Sequence, residues 1–298
     1  MNILVTGASG LVGSHLQPAL AAEGHTVTAL VRRAAAAGQI RWDPAAGQLD
    51  ADQLQGFDGV VHLAGESIAE GRWTAAKKER IRSSRVDPTT LLCQTLARLP
   101  QPPKVLISAS AIGFYGDRGD QPLDEESPAG AGYLPEVCQA WEGATQAAAE
   151  AGIRVVRLRI GVVLSREGGA LQKMLLPFRM GAGGRIGSGR QYWSWIAIDD
   201  LVGVIGHALQ TTSLEGAVNA VAPQPVTNLE FTKTLGRVLG RPTIFPMPAF
   251  AARLALGEMA NDLLLASARV VPAKLNGSGY TFRYPDLEGA LRHVLARP

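Results

Sequence analysis

The first thirteen residues constrain the possible fold more than any other part of the chain. An apolar strand starts at the first residue and breaks into the sequence TGASGLVG before a helix can form. Gly7 allows a tight turn out of the strand, Gly10 lets backbone N–H groups approach a pyrophosphate, and Gly13 lets the following helix pack close to the sheet. An amphipathic helix at 11–23 and a strand at 26–31 follow. This context predicts a dinucleotide-binding turn, although the glycines alone would also fit an ordinary βα turn.

The end of the second predicted strand indicates which dinucleotide binds. Proteins selective for NAD place an Asp or Glu there to bind the ribose 2′-hydroxyl, whereas a nearby Arg accommodates the 2′-phosphate of NADP. Here the sequence is Ala29-Leu-Val-Arg-Arg33, and no acidic residue follows until Asp43. The strand end therefore predicts NADP(H), with Arg32 as the phosphate ligand and Arg33 as the alternate. A solvated strand end without a ligand is the other interpretation.

The composition is that of a globular protein of enzyme size. The 298 residues, 46% of them hydrophobic, can bury a large core in one large or two unequal domains. A net charge of only +3 with scattered basic residues argues against a nucleic-acid partner. Without a secretion signal or a membrane-length apolar run, we expect a cytoplasmic monomer or homodimer that does not bind membranes. Cys93 and Cys138 are expected to be reduced thiols in or near the core, and no metal site is predicted.

Apolar runs alternate with helical stretches along the first half of the chain. This alternation predicts an α/β fold with a doubly wound parallel sheet. The predicted strands are 3–6, 26–31, 59–64, 104–108 and 153–160, and the predicted helices are 11–23, 73–98 and 134–151. After Gly161 the pattern changes to a loop-rich basic stretch, an aromatic patch at 192–195 and a helical pattern at 196–210.

This change of pattern predicts two domains. Residues 1–160 and 196–222 are predicted to form a dinucleotide-binding domain, while 161–195 and 223–298 form a smaller C-terminal lobe. Ligands bind at the carboxyl ends of parallel strands, so we expect this lobe to lie over the nicotinamide end and to carry the substrate. An alanine run at 34–37 predicts a surface loop.

Several motifs together resemble those of the extended short-chain dehydrogenase/reductases. They are TGASGLVG, the strands 60–65 and 105–110, the sequence FYG that follows the second of these, and Tyr133 at the start of a helix. GRWT with the downstream pair Ser84-Arg85, the stretch LLPFRMGAGGRIGSGRQYWSWI and the closing segment from FPMPAF onward are similar to the epimerase family proteins, a subgroup with a human member in class 39U. The resemblance covers nearly the whole chain and implies a Rossmann fold with a smaller C-terminal substrate lobe.

The glycine turn and the resemblance together define the candidate cofactor residues. They are Gly7, Ser9, Gly10, Leu11, Val12, Gly13, Arg32, Leu63, Ala64, Gly65, Arg85 and Val162. Arg85 stands where the larger family usually carries an Asn that faces the cofactor pocket, so the resemblance implies a guanidinium on the cofactor ribose or phosphates. The alternative is an arginine on the helix surface, since Lys77, Lys78, Arg80 and Arg82 are nearby.

The resemblance also implies the catalytic residues. In the larger family a Tyr exchanges a proton with the substrate, a Ser orients the substrate oxygen, and a Lys four residues after the Tyr lowers its pKa. Ser110 and Tyr133 match the first two roles, but Val137 stands where the Lys belongs. Without a nearby cation, a Tyr of pKa about 10 is less than about 1% ionised at neutral pH and is a poor base. Tyr133 is therefore either the acid/base or a packing or substrate-contact residue, and Glu136 is another candidate acid.

The residues at the substrate end argue against a nucleotide sugar. Sugar-nucleotide epimerases of this architecture clamp the diphosphate with an Arg just before an aromatic-Ile-His-Val strand. Trp193 occupies that place here, and Ala197 replaces the usual His. Trp193 and Trp195 suggest either an apolar or planar substrate or a packed junction between domains.

Two functions remain possible from the sequence. The first is an NADP(H)-dependent oxidoreductase or epimerase that acts on a small hydroxyl or carbonyl compound other than a UDP-sugar, with Ser110 orienting the substrate and Tyr133 as the acid/base. The second is a catalytically impaired, redox-responsive regulator that binds NADP(H). Val137 in place of the lysine favours the second function.

Overall fold

The computed structural model describes residues 1–33 and 35–296. Ala34 of the predicted surface loop and the last two residues of the predicted C-terminal lobe lie outside the described residues. In chain order the strands are β1 (Asn2–Thr6), β2 (Thr26–Val31), β3 (Gln39–Arg41), β4 (Gly59–His62), β5 (Val105–Ala111), β6 (Pro122–Leu123), β7 (Arg154–Ile160), β8 (Val162–Leu164), β9 (Tyr192–Trp193), β10 (Trp195–Ala197), β11 (Gly216–Ala220), β12 (Val226–Thr227) and β13 (Arg269–Val270). The helices are α1 (Leu11–Ala22), α2 (Ala75–Ala97), α3 (Tyr133–Gly143), α4 (Gln146–Glu150), α5 (Gly169–Arg179), α6 (Ile198–Gln210), α7 (Asn228–Leu239), α8 (Ala249–Leu256), α9 (Ala273–Gly277) and α10 (Leu287–Ala296).

Seven parallel strands form the central sheet, in the order β11-β7-β5-β4-β1-β2-β3. Ile3 and Val5 of β1 pack in one cluster with Leu16 of α1, while Leu4 packs in another with Leu92 of α2. Successive side chains of a strand point to opposite faces, so helices cover both faces of the sheet. The predicted doubly wound α/β fold is confirmed.

All five strands predicted in the first half are present in the central sheet, which contains two further strands, β3 and β11, that were not predicted. The three-residue strand β3 lies at one edge of the sheet, and β11 lies at the other edge beside β7. β11 reads Gly-Ala-Val-Asn-Ala, and Gly, Asn and Ala are poor strand formers. Pairing with β7 therefore determines this strand more than its own sequence does.

Two helix predictions differ from the structure. The predicted helix 134–151 is divided into α3 and α4. The division follows Gly143, a weak helix former, and at Thr145 the hydroxyl donates to the carbonyl oxygen of Glu142 at 2.7 Å. The helix predicted from residue 196 begins instead at Ile198, because β10 pairs in parallel with β8 through Trp195 and Val162.

Most members of a separate hydrophobic cluster lie in the part of the chain predicted to form the smaller lobe. Its largest members are the two tryptophans of the aromatic patch and Phe231 of α7, together with apolar residues of α5 and α10. The rings of Trp193 and Phe231 meet edge to face at 5.3 Å, and the Trp195 indole donates to the carbonyl of Gln224 at 3.1 Å. Both tryptophans are buried, so the packing interpretation fits them better than a role in substrate contact.

Both cysteines are buried and unbridged, as expected of core thiols. Burial raises the pKa of each thiol to about 12, so neither is a reactive thiolate at neutral pH. Within residues 1–33 and 35–296, no group of three or more His, Cys, Asp or Glu side chains could hold a metal ion. In the same part of the chain, every helix is too short or too polar to cross a bilayer.

Candidate functional site

The glycine turn between β1 and α1 fits tightly against the neighbouring backbone. Gly7 has a φ of +66°, and a Cβ atom there would lie 2.7 Å from the carbonyl carbon of Leu63. A Cβ at Gly13 would lie only 2.4 Å from the carbonyl oxygen of Gly7. The turn therefore requires glycine at both positions, for conformation at the first and for close packing at both. A turn of this shape leaves backbone amides free to approach a pyrophosphate at the start of a helix.

The residues that follow β4 are bonded to this turn through Thr6. The Thr6 hydroxyl oxygen accepts hydrogen bonds from the backbone N–H groups of Leu63, at 3.1 Å, and Ala64, at 3.2 Å. The same hydroxyl lies 2.7 Å from Nδ1 of His62. Thr6 thus joins the carboxyl ends of β1 and β4 immediately before Gly7.

His62 is fully buried, and its ring lies between the hydroxyls of Thr6 and Thr89. Its Nε2 lies 2.9 Å from the hydroxyl oxygen of Thr89, which itself donates to the carbonyl of Arg85 at 2.6 Å. The Thr89 proton is used in that bond, so Nε2 carries the imidazole proton and Nδ1 accepts from Thr6. Burial lowers the pKa of His62 to about 4, so the ring is neutral near pH 7.

Arg85 faces the loop after β4 and is not on the helix surface. Its guanidinium donates to the carbonyl of Glu66 at 2.9 Å and to that of Ile81 at 2.9 Å, and lies 5.1 Å from the ring centroid of Trp141. Burial lowers the pKa of this guanidinium, but an Arg stays charged in proteins. A guanidinium has five N–H donors, so further donors remain for a ligand. A Cβ at Gly65 would lie 3.5 Å from this guanidinium, which shows how closely Arg85 approaches the loop.

The structure places the other predicted cofactor residues along the same edge of the sheet. Ser9 and Arg32 are exposed, whereas Leu11, Val12 and Val162 are half-buried. Arg32 follows the carboxyl end of β2, the strand that pairs with β1. Val162 begins β8, directly after β7. Parallel strands share one carboxyl edge, so the predicted cofactor segments assemble along that edge.

The hydroxyl of Tyr133 points into the protein. The hydroxyl donates to the carbonyl of Lys78 at 2.7 Å, and the ring meets Trp73 edge to face at 5.2 Å. Burial raises the pKa of Tyr133 to about 12, and the opposing effect of Arg85 is smaller. Val137, one turn later in α3, is buried and supplies no cation. Glu136, the other candidate acid, is exposed.

Ser110 belongs to a buried polar network that the sequence analysis did not predict. Its hydroxyl donates to the Glu142 carboxylate at 2.8 Å. The same carboxylate accepts two bonds from Arg159, at 2.8 and 3.0 Å, and the Arg159 guanidinium also donates to the Tyr115 hydroxyl at 2.9 Å. Burial lowers the pKa of Arg159, but Glu142 and Tyr115 together more than offset that effect, so the pKa is raised. An arginine within the apolar run of β7 could have indicated this network from the sequence, because a buried charge requires a partner.

Comparisons with known proteins agree with this fold. Residues 3–220 match the NAD dependent epimerase/dehydratase family, and residues 247–294 match a domain of unknown function, DUF1731. An epimerase family protein of Mycobacterium tuberculosis is 43% identical over 99% of this chain and 98% of its own length. The human epimerase family protein SDR39U1 is 38% identical over 99% of this chain and 100% of its own length. The crystal structure of human SDR39U1, isoform 2, with NADPH has a TM-score of 0.92 at 36% identity and covers 100% of both chains.

Proposed function

The chain belongs to the NAD dependent epimerase/dehydratase family, and from this premise we propose that it binds NADP(H) at the carboxyl edge of its central sheet. The observation that carries the proposal is the close fit at Gly7 and Gly13, where a Cβ atom would overlap neighbouring backbone. A related human structure contains NADPH, which supports the same cofactor here.

Each part of the cofactor has candidate residues. The backbone from Gly7 to Gly13 receives the pyrophosphate, and Arg32 binds the 2′-phosphate. The chain at 63–65 lines the same edge, Arg85 binds ribose or phosphate with its remaining donors, and Val162 borders the nicotinamide end. When bound, the cofactor supplies or accepts a hydride.

The function that the geometry supports best is a redox-responsive regulator that binds NADP(H) without turnover through Tyr133. Proton exchange with a substrate would need the hydroxyls of Tyr133 and Ser110. Protein acceptors already bind both: the Lys78 carbonyl accepts from Tyr133, and Glu142 accepts from Ser110. Val137 supplies no charge that would favour the tyrosinate. These contacts support cofactor binding without proton transfer through Tyr133 or Ser110.

The second candidate is an NADP(H)-dependent oxidoreductase or epimerase for a small hydroxyl or carbonyl compound. The position of Ser110 near the carboxyl end of β5, at the same sheet edge as the glycine turn, favours it. Tyr133 would have to leave the Lys78 carbonyl to reach a substrate. A UDP-sugar is not the proposed substrate. Sugar-nucleotide epimerases carry a diphosphate-binding Arg and a His at the positions that Trp193 and Ala197 occupy here, and both of these residues are buried.

Two measurements on the full chain test these functions. NADPH and NADH are titrated by nucleotide fluorescence, and NADPH oxidation is then followed with a library of carbonyl compounds, using the unaltered chain and Tyr133→Phe. We expect NADPH binding with no oxidation that depends on Tyr133. Oxidation abolished by Tyr133→Phe would establish the second candidate, and failure to bind NADPH would overturn both. The division into two domains, the cytoplasmic location and the oligomeric state stay predictions of the sequence.

A further inference from the structure

The hydroxyl of Ser110 has a fixed direction within the buried polar network. Its single proton points to the Glu142 carboxylate, 2.8 Å away. Arg159 binds both oxygens of that carboxylate, through Nε at 2.8 Å and Nη2 at 3.0 Å. A carboxylate paired with a guanidinium in this way is ionised, and an ionised carboxylate only accepts hydrogen bonds. Ser110 must therefore be the donor in its bond with Glu142.

The oxygen of Ser110 can still accept hydrogen bonds. A serine oxygen has two lone pairs beside its one O–H donor. Within residues 1–33 and 35–296, no group donates a hydrogen bond to this oxygen. The Arg159 guanidinium directs its remaining bonds to the Tyr115 hydroxyl and the Glu125 carbonyl. Ser110 is thus a fixed acceptor that has no donor partner in this part of the chain.

The strand order places Ser110 at one end of the proposed cofactor site. Strands β2, β1, β4 and β5 are neighbours in this order in the sheet. Arg32 follows β2, the glycine turn follows β1, residues 63–65 follow β4, and Ser110 is the next-to-last residue of β5. A dinucleotide with its 2′-phosphate at Arg32 and its pyrophosphate at the glycine turn extends its nicotinamide towards β5. From β2 to β5 there are three strand spacings, about 14 Å.

Helix α3 connects Ser110 with Arg85, another proposed ligand of the cofactor. The Arg85 guanidinium lies 5.1 Å from the ring centroid of Trp141, and the next residue of α3 is Glu142, which binds Ser110. Residues 111–114, which follow Ser110, are half-buried, so the chain approaches solvent directly after it. Ser110 itself is only 3% exposed, so water competes little for its oxygen and a hydrogen bond formed there is stronger than one at the surface.

The fixed direction of the hydroxyl decides which chemical group can bind at Ser110. An amide N–H or a hydroxyl of a ligand can donate to the open lone pairs. A carbonyl oxygen in the same place would face another acceptor, and the water that it loses would not be replaced. A serine whose hydroxyl rotates freely could bind either kind of group. The carboxylate of Glu142 therefore determines the selectivity.

We propose that Glu142 is a positioning residue that fixes Ser110 as an acceptor, so that this end of the site binds a hydrogen-bond donor and disfavours a carbonyl oxygen. The donor is the carboxamide N–H of the nicotinamide or the hydroxyl of a small alcohol beside it. Among small compounds, the site selects alcohols over the matching aldehydes and ketones. The inference rests on the proposed NADP(H) binding and adds the class of group that contacts Ser110.

Calorimetric titration of the full chain tests the carboxamide first. The two ligands are NADP⁺ and its 3-acetylpyridine analogue, which keeps the carbonyl but has a methyl group in place of the amide nitrogen. We expect the unaltered chain to bind NADP⁺ at least about tenfold more tightly, about 1.4 kcal/mol, and Ser110→Ala to bind both equally. Ser108→Ala is the matched control and should keep the preference, because Ser108 is a buried serine two residues earlier on the same face of β5.

A second titration tests the hydroxyl. Cyclohexanol and cyclohexanone are added to the NADP⁺ complex of the same three proteins. If an alcohol is the donor, the two nucleotides bind equally, and the alcohol binds at least about tenfold more tightly than the ketone, about 1.4 kcal/mol. Ser110→Ala then removes this difference and Ser108→Ala keeps it. Either preference supports the proposal and identifies which group donates to Ser110.

Glu142→Gln tests the positioning role. A glutamine amide both donates and accepts, so Ser110 regains both hydrogen-bond directions and the preference should fall. A merely structural defect would weaken both ligands of a pair equally and leave their ratio unchanged. Because this variant is also expected to be less stable, its folding is checked by circular dichroism, and Ser110→Ala decides the question if it does not fold.

Two results would overturn the proposal. One is the absence of a preference in both ligand pairs, and the other is a preference that Ser110→Ala retains. Failure of the unaltered chain to bind NADP⁺ is a different result, because it would refute the proposed function and this inference with it. Binding of NADP⁺ without either preference would overturn this inference alone.

Discussion

The hydroxyl of Tyr133 donates a 2.7 Å hydrogen bond to the backbone carbonyl of Lys78. A tyrosine that exchanges protons with a substrate needs that hydroxyl free and a cation that stabilises its ionised form. The first condition fails because the carbonyl engages the hydroxyl. Lys78 Nζ lies 5.0 Å from the ring centroid and Arg85 lowers the pKa, but burial outweighs these cations and raises the pKa of Tyr133 to about 12.

Tyr133→Phe should act as a structural change and not as a catalytic one. The variant loses one hydrogen bond, so we expect the free energy of unfolding to fall by about 1 kcal/mol, with NADPH affinity unchanged. Denaturant unfolding and a fluorescence titration measure the two quantities. Unchanged stability together with the loss of a measurable turnover would contradict this structural role.

Arg32→Ala should remove the preference between the two nicotinamide cofactors. We expect the unaltered chain to bind NADPH at least about tenfold more tightly than NADH, about 1.4 kcal/mol. In the variant the two affinities should become equal through weaker NADPH binding alone. Arg33→Ala serves as the matched control and should keep the preference. If Arg33→Ala removes it instead, the alternate arginine binds the phosphate.

Glu142→Gln should destabilise the chain strongly. Glu142 and Arg159 form a buried ion pair, and neutralising one partner leaves the other charge buried without compensation, at a cost of about 3 to 5 kcal/mol. Glu288→Gln is the control, because Glu288 pairs with Arg237 and Arg292 at exposed sites, where solvent screens such pairs and they contribute little to stability. Similar unfolding free energies for the two variants would show that the buried pair stabilises the fold no more than the exposed pairs do.

His62 should make the stability of the chain depend on pH in the acidic range. Its folded-state pKa of about 4 lies below the ordinary value of 6.5, so the unfolded chain binds the extra proton first. The stabilisation is complete above pH 6.5 and falls as the pH drops to about 4, by about 3 kcal/mol in total. Urea unfolding of the unaltered chain and of His62→Gln between these values measures the slope. An equal slope in both proteins would exclude His62 as its source.

The sequence predicted the features that short segments encode by themselves. Gly7, Gly10 and Gly13 are adjacent in the chain, and their conformational freedom and lack of a side chain can be interpreted from the motif alone. The five buried strands were found because parallel strands covered on both faces are continuous apolar runs. The missed strand β11 has weak strand formers and depends on its partner β7.

The arrangement of the candidate catalytic residues could not be predicted in the same way. Ser110 and Glu142 are 32 residues apart, and only the packing of α3 against the end of β5 brings them to 2.8 Å. Tyr133 and Lys78 are 55 residues apart, so the orientation of the phenol depends on how α2 and α3 lie together. Motif matching identified the residue types, whereas tertiary contacts determined what their hydroxyls bind.

Binding of NADPH to Gly13→Ala tests the central claim most directly. A Cβ at this position would lie 2.4 Å from the carbonyl oxygen of Gly7, so the turn must shift. Gly143→Ala in α3 is the matched control, since a Cβ there meets nothing within 4 Å. With folding checked by circular dichroism, we predict that the unaltered chain and Gly143→Ala bind NADPH equally, and that Gly13→Ala binds it at least about tenfold more weakly, about 1.4 kcal/mol. Equal affinity in all three proteins, or no binding by the unaltered chain, would contradict the claim that this turn holds NADP(H).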